Sequence, residues 1–531
     1  MEVVFLTVNH LFWSMTTVVV VVVVVSLVMY VYSILWLKPE KLREKLRIQG
    51  ITGPPPCFLR GNVPEMKRIQ AGVAAASPSA ANSPHDYASI LFPYLEQWRK
   101  QYGQIYMYST GTRQHLLVNH PDLVKEMSLS VSWDLGKPLY MGKTLGPMLG
   151  NGILRSNGNI WAHQRRIIAP EFFMDKVKGM MDVMVDSALS MLKKWEDRVE
   201  MEGGMADVKV DQDLRNFSAD VISRTCFGSS YLKGKEIFSK LRALQVTLSK
   251  QGFLFWGPAY RNLPTKRNRE IRRLERQIES LILKVIKERK EEASLLGSSA
   301  KKDLLEMILE GAINGDGHHD TTSIPCNRFI VDNCKNIYFA GHESTAVAAA
   351  WCLMLLALYP QWQDRVRAEV VQICGDHRPL DADALQKMKT MKMVIQETLR
   401  LYSPAPFLAR EVFQDTKIGH IVVPKGVHLW TLIPTLHRDP DIWGEDAHEF
   451  KPDRFSNGIS EACKLPQAYV PFGVGARMCL GRNFAMVELM VVLSLIISNF
   501  SFSLSPTYRH SPSYRMILEP EYGVHLLIRK I

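Results

Sequence analysis

The chain has 531 residues, 47% hydrophobic and 22% charged, enough for a sizeable core in one large catalytic unit or in two to three ordinary domains. Its eight cysteines are scattered with no C-x-x-C pair, which argues against a zinc site or a disulfide framework and suits free thiols in a reducing compartment. A net charge of +12 points to an acidic protein partner or an anionic membrane surface, once a nucleic-acid role is set aside on the pattern of its basic residues, described below.

From Leu11 to Leu37 there is no charged residue, and Val18 to Val25 is an unbroken valine tract. As a helix this run would span roughly 40 Å, against a hydrocarbon core of about 30 Å. It is too long for a signal-peptide core and ends at Trp36-Leu37-Lys38 without a small-residue cleavage site. Glu2 precedes it, and Lys38, Lys41, Arg43, Lys45 and Arg47 follow, which predicts a single-pass anchor over 11–37 with a short lumenal N-terminus, 1–10, and the main body in the cytosol. A basic, proline-rich stretch, 38–60, contains Gly53-Pro54-Pro55-Pro56, which cannot continue a helix. The Ala/Ser/Pro-rich segment Ala71 to Pro84 reads as a surface loop.

From about Tyr87 to Cys352 the periodicity is mostly helical, with few strand-like alternations. Trp161 and Arg165 fall four residues apart on one helix face, and both donate hydrogen bonds of the kind a carboxylate accepts. The densest basic run starts at Lys266 and reaches Lys290. Its Ile271, Leu274, Ile278, Leu281, Ile282 and Val285 recur at helical spacing among glutamates, which predicts an amphipathic helix with a solvated mixed-charge face. No zinc-finger or RNA-recognition motif accompanies it, so no nucleic-acid partner is expected. Loops are predicted at Ser294 to Ser299 and at Asn314 to Asp320, where His318-His319 lacks further ligands for a metal.

Phe339-Ala340-Gly341-His342-Glu343-Ser344-Thr345 lies inside a helical stretch that runs on to Leu358. An acid followed by hydroxyls beside a small-residue gap is a means of passing protons into an apolar cavity. Glu397 and Arg400, at i and i+3, share a helix face. After them Pro404, Ala405, Pro406, Phe407 and Leu408 form a wholly apolar stretch. Strands are predicted at Lys417 to Pro424 and at Tyr522 to Ile528. Near the end, Pro471 to Gly481 sets Cys479 in a glycine-punctuated turn, two residues after Arg477. Nearby positive charge and backbone N–H groups favour a thiolate, and glycines let main chain approach a flat ligand closely. A thiolate held in this way is what a haem iron bound through sulfur requires.

Phe472, Gly475, Arg477, Cys479 and Gly481 resemble the haem-binding signature of the cytochrome P450 superfamily. Trp161/Arg165, Ala340 to Thr345, Glu397/Arg400 and Phe450-Lys451-Pro452-Asp453-Arg454-Phe455 follow the same family's order, so the resemblance covers essentially the whole chain. It implies a mainly α fold with small β-sheets, the P450 fold, behind one transmembrane helix, with 61–531 as a cytosolic haem-thiolate monooxygenase domain and the proline-rich stretch as its hinge. It further implies haem b bound by Cys479, dioxygen as co-substrate, and electrons from NADPH through a separate cytochrome P450 reductase at the endoplasmic reticulum membrane. Trp161, Arg165, Arg410 and Arg477 would meet haem propionates, with Phe472 beside the ring. Glu343 and Ser344 or Thr345 would relay protons, Ser344 standing where the family usually has threonine. Glu397, Arg400 and Arg454 would brace the Cys479 loop, and Ala340 with Pro404 to Leu408 would face substrate.

Asn119-His120-Pro121, Trp161 to Phe173, Ala219 to Ser230 and Ala349 to Leu358 look like plant members of the clan that oxidises gibberellins, ent-kaurenoic acid, cytokinins and brassinosteroids. Within it the likeness is to the group acting on gibberellins, ent-kaurenoic acid and triterpenoid acids. This implies hydroxylation or epoxidation of a polycyclic terpenoid acid, the alternatives being another plant hormone or a reductase-independent isomerase or dehydratase.

Overall fold

The computed structural model describes residues 2–75, 85–129, 134–228, 231–250, 263–296, 303–314, 325–375 and 380–531. It is mainly helical, with one five-stranded sheet, one three-stranded sheet and two strand pairs among the described residues. A helix from Cys326 to Leu358 runs through the core, buried along most of its length. Pro325 opens it without wasting a donor, and Tyr359-Pro360 ends it, because the residue before a proline is driven out of the helical region. Helices Val210–Phe227, Tyr231–Ser249, Lys389–Leu401 and Arg482–Asn499 pack around this central helix. Arg482–Asn499 is mostly apolar and mostly buried in the core, with Glu488 its one buried acid.

The five-stranded sheet has the order Ile105–Thr110, Arg113–Val118, His428–Leu432, Phe407–Val412, Leu135–Gly136. Arg113–Val118 and His428–Leu432 are parallel and the other pairs antiparallel. Pairing of Arg410 with Leu429 fixes which way the arginine leaves the sheet.

The basic run from Lys266 forms a helix to Leu296, burying Ile271, Leu274, Ile278 and Ile282 as its periodicity requires. Ser294 to Leu296 therefore belong to a helix and not to a loop; 297–299 lie outside the described residues. Val63–Ala75 is likewise helical through the alanines assigned to a loop, and 76–84 lie outside the described residues. Asn314 closes the helix Leu304–Asn314, while His318 and His319 lie outside the described residues. Lys417 to Pro424 is a hairpin, Thr416–Ile418 with Ile421–Val423, and the late strand is His525–Lys530.

At the N-terminus an apolar helix, Glu2–Tyr32, passes through a π-helical turn at Ser33–Leu37 into Lys38–Arg47. The helix thus takes in residues 2–10 as well, and the expected hinge opens with a helix. Val18 to Val25 are exposed, so this valine tract packs its apolar surface against nothing within the described protein. It is long and apolar enough to cross a bilayer. The central helix and Arg482–Asn499 also meet that length and composition, but both are mostly buried in the core. Arg43 ties the segment after the anchor to the domain: it is buried, bonds Glu40 and Gln114 (3.2 Å) and lies 5.3 Å from the Trp36 ring, which itself packs on Phe58.

Candidate active site

Gly473 and Gly475 adopt φ of 71° and 74°, a conformation L side chains rarely take. A Cβ on Gly475 would also meet the Ser128 carbonyl, so the loop approaches its neighbour as closely as a bare backbone allows. The Cys479 N–H donates to the Phe472 carbonyl at 2.9 Å, folding the loop back beneath the cysteine. Arg482–Asn499 starts three residues later, which aims the Gly481 amide at the sulfur. Burial pushes the Cys479 thiol up, while the Gly481 amide and the Arg165 and Arg482 guanidiniums pull the other way. The accessible surface of Cys479 faces an internal cavity and not bulk water.

That cavity measures about 360 Å³. Cys479, Phe472, Gly473 and Met478 form its floor, and Ala340, Gly341, Ser344, Thr345 and Ala348 the facing wall. Those five positions follow i, i+1, i+4, i+5, i+8 and so share one face of the central helix. Ile153, Leu154, Ile222, Ile337, Phe407 and Leu408 close the apolar side, with Pro404 and Ala405. Pro406 is not part of the wall; it is buried, and its carbonyl accepts the Ile433 N–H at 2.9 Å.

Four cations line the same cavity: Lys137, Arg165, Arg410 and Arg477, with Trp161 between two of them. Trp161 lies 4.4 Å from Arg477 and 5.7 Å from Arg165, ring centroid to guanidinium carbon. Arg477 donates to the Ser156 carbonyl at 3.1 Å and Asn157 Oδ1 at 2.8 Å, Arg165 to the Met478 carbonyl at 3.1 Å, Arg410 to the Ala409 carbonyl at 2.9 Å. Among the described residues no carboxylate lines the cavity. Burial, joined by repulsion from neighbouring arginines, pushes Arg477 down to about 9 and Lys137 to about 7; burial alone brings Arg410 to about 10. Buried, uncompensated positive charge beside a free sulfur fits a flat dianionic ligand whose metal the thiolate holds, which is the chemistry of haem and its two propionates. Lys137, after the short strand Leu135–Gly136, was not singled out from the sequence, where nothing brings it near Cys479.

The acid and the hydroxyls part company in space. Ser344 Oγ donates to the Ala340 carbonyl at 2.7 Å and, like Thr345, faces the cavity. Glu343, one position earlier, points away from it. Arg215 at 3.2 Å, Arg242 at 3.4 Å and His342 at 3.3 Å surround its carboxylate. Burial alone would raise the Glu343 pKa, but His342 and the two arginines outweigh it and hold the group well below the usual carboxylate range. Both arginines also grip the buried Glu519, at 3.0 and 2.7 Å. A second buried acid, Glu488, stands on the hydroxyl side. It accepts from Ser218 Oγ at 2.5 Å and has the Thr345 hydroxyl nearby, yet burial still pushes it up to about 8.

Beneath the Cys479 loop, Glu397 and Arg400 are fully buried and joined by two bonds of 2.7 and 2.8 Å. Arg400 also donates to the carbonyls of His437, Ala447 and Glu449, and Arg454 reaches Glu397 at 3.2 Å. His437 completes the connection. Burial pushes it down to about 3, so it is neutral, its Nδ1–H donating to the Arg400 carbonyl while Nε2 accepts the Val470 N–H at 2.9 Å. Val470 opens the segment that leads to Phe472 and Cys479, so the charge cluster is coupled to the floor of the cavity through one imidazole.

A cytochrome P450 family model matches residues 84–528. The chain is 53% identical over 506 residues to cytochrome P450 714C2 of Oryza sativa subsp. japonica, 94% of this chain and 95% of that protein. It is 51% identical over 500 residues to cytochrome P450 714A2 of Arabidopsis thaliana, with 93% and 94% covered. With cytochrome P450 714B3 of Zea mays it shares 49% over 516 residues, covering 95% and 94%.

Proposed function

We propose that the chain, which belongs to the cytochrome P450 family, hydroxylates or epoxidises a polycyclic terpenoid acid, of gibberellin, ent-kaurenoid, oleanane or ursane type. It is a haem-thiolate monooxygenase that uses dioxygen and electrons supplied by a reductase. Bound haem supplies oxygen activation and the transfer of one oxygen atom to substrate. The protein's part is to hold, orient and protonate. Cys479 would ligate the iron, Trp161, Arg165, Arg410 and Arg477 would hold the propionates, and Phe472 would flank the ring. Ser344 and Thr345 carry the hydroxyls that face the cavity, with Glu488 near Thr345 and Glu343 set behind the helix among its cations.

The observation that carries the terpenoid reading is the lining itself: a broad apolar side of isoleucines, leucines and Phe407. A rigid hydrocarbon skeleton fits that side, and the acid group is proposed from the resemblance to terpenoid-acid oxidases. The electron donor is proposed to dock behind the Cys479 loop, where Lys178, Lys392 and Arg482 border a groove of about 500 Å³ that, among the described residues, also lacks a carboxylate. The anchor helix is proposed to sit in the endoplasmic reticulum membrane with the catalytic domain in the cytosol, in keeping with the basic residues that follow it.

Microsomes containing the chain and a reductase, incubated with gibberellins, ent-kaurenoic acid and oleanane and ursane acids, test the reading by mass spectrometry. A product heavier by one oxygen atom, formed with consumption of NADPH and dioxygen, is expected from at least one acid. No turnover of any terpenoid acid would sink the substrate class, and turnover without NADPH or dioxygen would point to an isomerase or dehydratase. In the same assay Ser344→Ala and Thr345→Ala should each divert electrons from product to hydrogen peroxide, and the larger diversion identifies the hydroxyl that serves the proton path.

A further inference from the structure

The first half of the central helix is unusually polar for a buried element: Asp332, Asn333, Lys335 and Asn336 have at most 1% of their surface exposed. Buried polar groups persist where they are hydrogen-bonded, and most partners here come from one loop, while Arg328, one turn earlier on the helix, pairs with Asp332 at 3.1 Å. Asp332 Oδ2 accepts the N–H of Asn151 at 2.8 Å, Asn333 Oδ1 that of Ile153 at 3.1 Å, and Asn336 Oδ1 that of Leu154 at 2.9 Å. The Asn336 amide nitrogen donates to the carbonyls of Leu149 (2.8 Å) and Asp332 (2.7 Å). Lys335 lies 2.9 Å from the other Asp332 oxygen and donates to the Pro147 carbonyl at 3.4 Å. So close an approach requires glycine twice. A Cβ on Gly150, whose φ is +52°, would strike the Asp332 carboxylate, and one on Gly152 would lie 2.7 Å from the Asn336 side chain.

The loop so held carries Ile153 and Leu154 into the cavity wall. Its far end, Ser156 and Asn157, receives both hydrogen bonds of Arg477, two residues before Cys479. It is strung between the central helix and the Cys479 loop, so its position sets how far the apolar wall stands from the floor. Asn336 itself lines the cavity, but its oxygen and both amide hydrogens are already engaged.

We propose that Asp332, Asn333 and Asn336 form a latch that positions the Leu149–Ser156 loop, and that Asn336 determines substrate specificity by fixing Ile153 and Leu154 and not by contacting the substrate's polar groups. The inference rests on the monooxygenase reading for its cavity but not on the terpenoid one. Its test uses imidazole and 4-phenylimidazole, which bind haem iron directly and report through the Soret shift, against the full-length protein and its Asn336→Ala, Asn333→Ala and Gly152→Ala variants. Asn333 lies off the cavity wall and Gly152→Ala alters no polar group, so these two keep the test open if Asn336→Ala fails to fold. With the latch broken, the ratio of the two dissociation constants should change by about tenfold, and a single oxidised product should give way to a mixture of positional isomers. Hydrogen exchange at the amides of Asn151, Ile153 and Leu154 should quicken in the same variants. Unchanged ligand ratios and product pattern in variants that retain full haem content would overturn the latch. Failure of the terpenoid reading would show instead as no terpenoid-acid turnover by the unaltered protein, with its imidazole binding intact.

Discussion

Two buried glutamates flank the hydroxyls of the central helix, and their surroundings drive them in opposite directions. Glu343 faces two arginines and a histidine and stays ionised. Glu488 faces two hydroxyls, and burial pushes it up to about 8 although the Ser218 hydrogen bond and the nearby Thr345 hydroxyl pull it down. At neutral pH the native protein therefore holds a proton on Glu488 that the unfolded chain has released, since a free glutamate titrates near ~4.3. This contribution to stability is whole below that value, declines as pH rises, and levels off above about 8. Glu488→Gln keeps the shape and a donor while abolishing the titration. Its thermal midpoint should exceed that of the parent at about pH 8 and converge with it toward about pH 5, by the same linkage. Parallel pH profiles for the two proteins would show that the native state does not hold this proton.

What the sequence reveals of an element depends on how far away its partners lie along the chain. Cys479, Arg477, Phe472 and the Glu397/Arg400 pair are legible because their chemistry is spelled within a few residues. The amphipathic helix from Lys266 is legible because one face alone meets the core. Lys137, His437, Glu488 and the Asp332–Asn336 latch are not, since each acquires its meaning from a segment far along the chain, as Asn336 does from Leu149 and Leu154. Glu343 shows the converse: adjacency to Ser344 suggests a shared task, but successive helix residues point some 100° apart, and the acid turns toward Arg215. The bracing helix Lys389–Leu401 yields a prediction at this scale. Glu397→Gln leaves Arg400 and Arg454 buried without their shared carboxylate, a defect that costs about 3–5 kcal/mol when one partner of a buried pair is removed. Because His437 transmits this cluster to Val470, haem content should fall steeply, and the reduced, carbon monoxide-bound spectrum should lose its thiolate band. A variant that retains that band at full intensity would show that the cluster does not support the Cys479 loop.

Across the whole molecule, the two faces of the Cys479 loop have separate electrostatic tasks. On the central-helix side, four cations line the cavity above Cys479, where they would meet the carboxylates of the cofactor. On the other side, Lys178, Lys392 and Arg482 rim an open groove in a protein of net charge +12. Rim charges of this kind act on encounter rate more than on the stability of the complex, and salt screens them within about 10 Å at ~0.1 M. Electron transfer from an acidic reductase should therefore slow as ionic strength rises. Lys178→Glu combined with Lys392→Glu should slow first-electron reduction by about tenfold at low salt and flatten the salt dependence. Substrate-induced and imidazole-induced spectra should stay as they are, because neither lysine lines the cavity. Stopped-flow reduction under carbon monoxide measures the rate directly. If the doubly substituted protein is reduced as fast as the parent at every salt concentration, the donor approaches by another face, and the surplus positive charge belongs to the membrane-proximal segment around Lys38 to Arg47, where the bilayer surface is its partner.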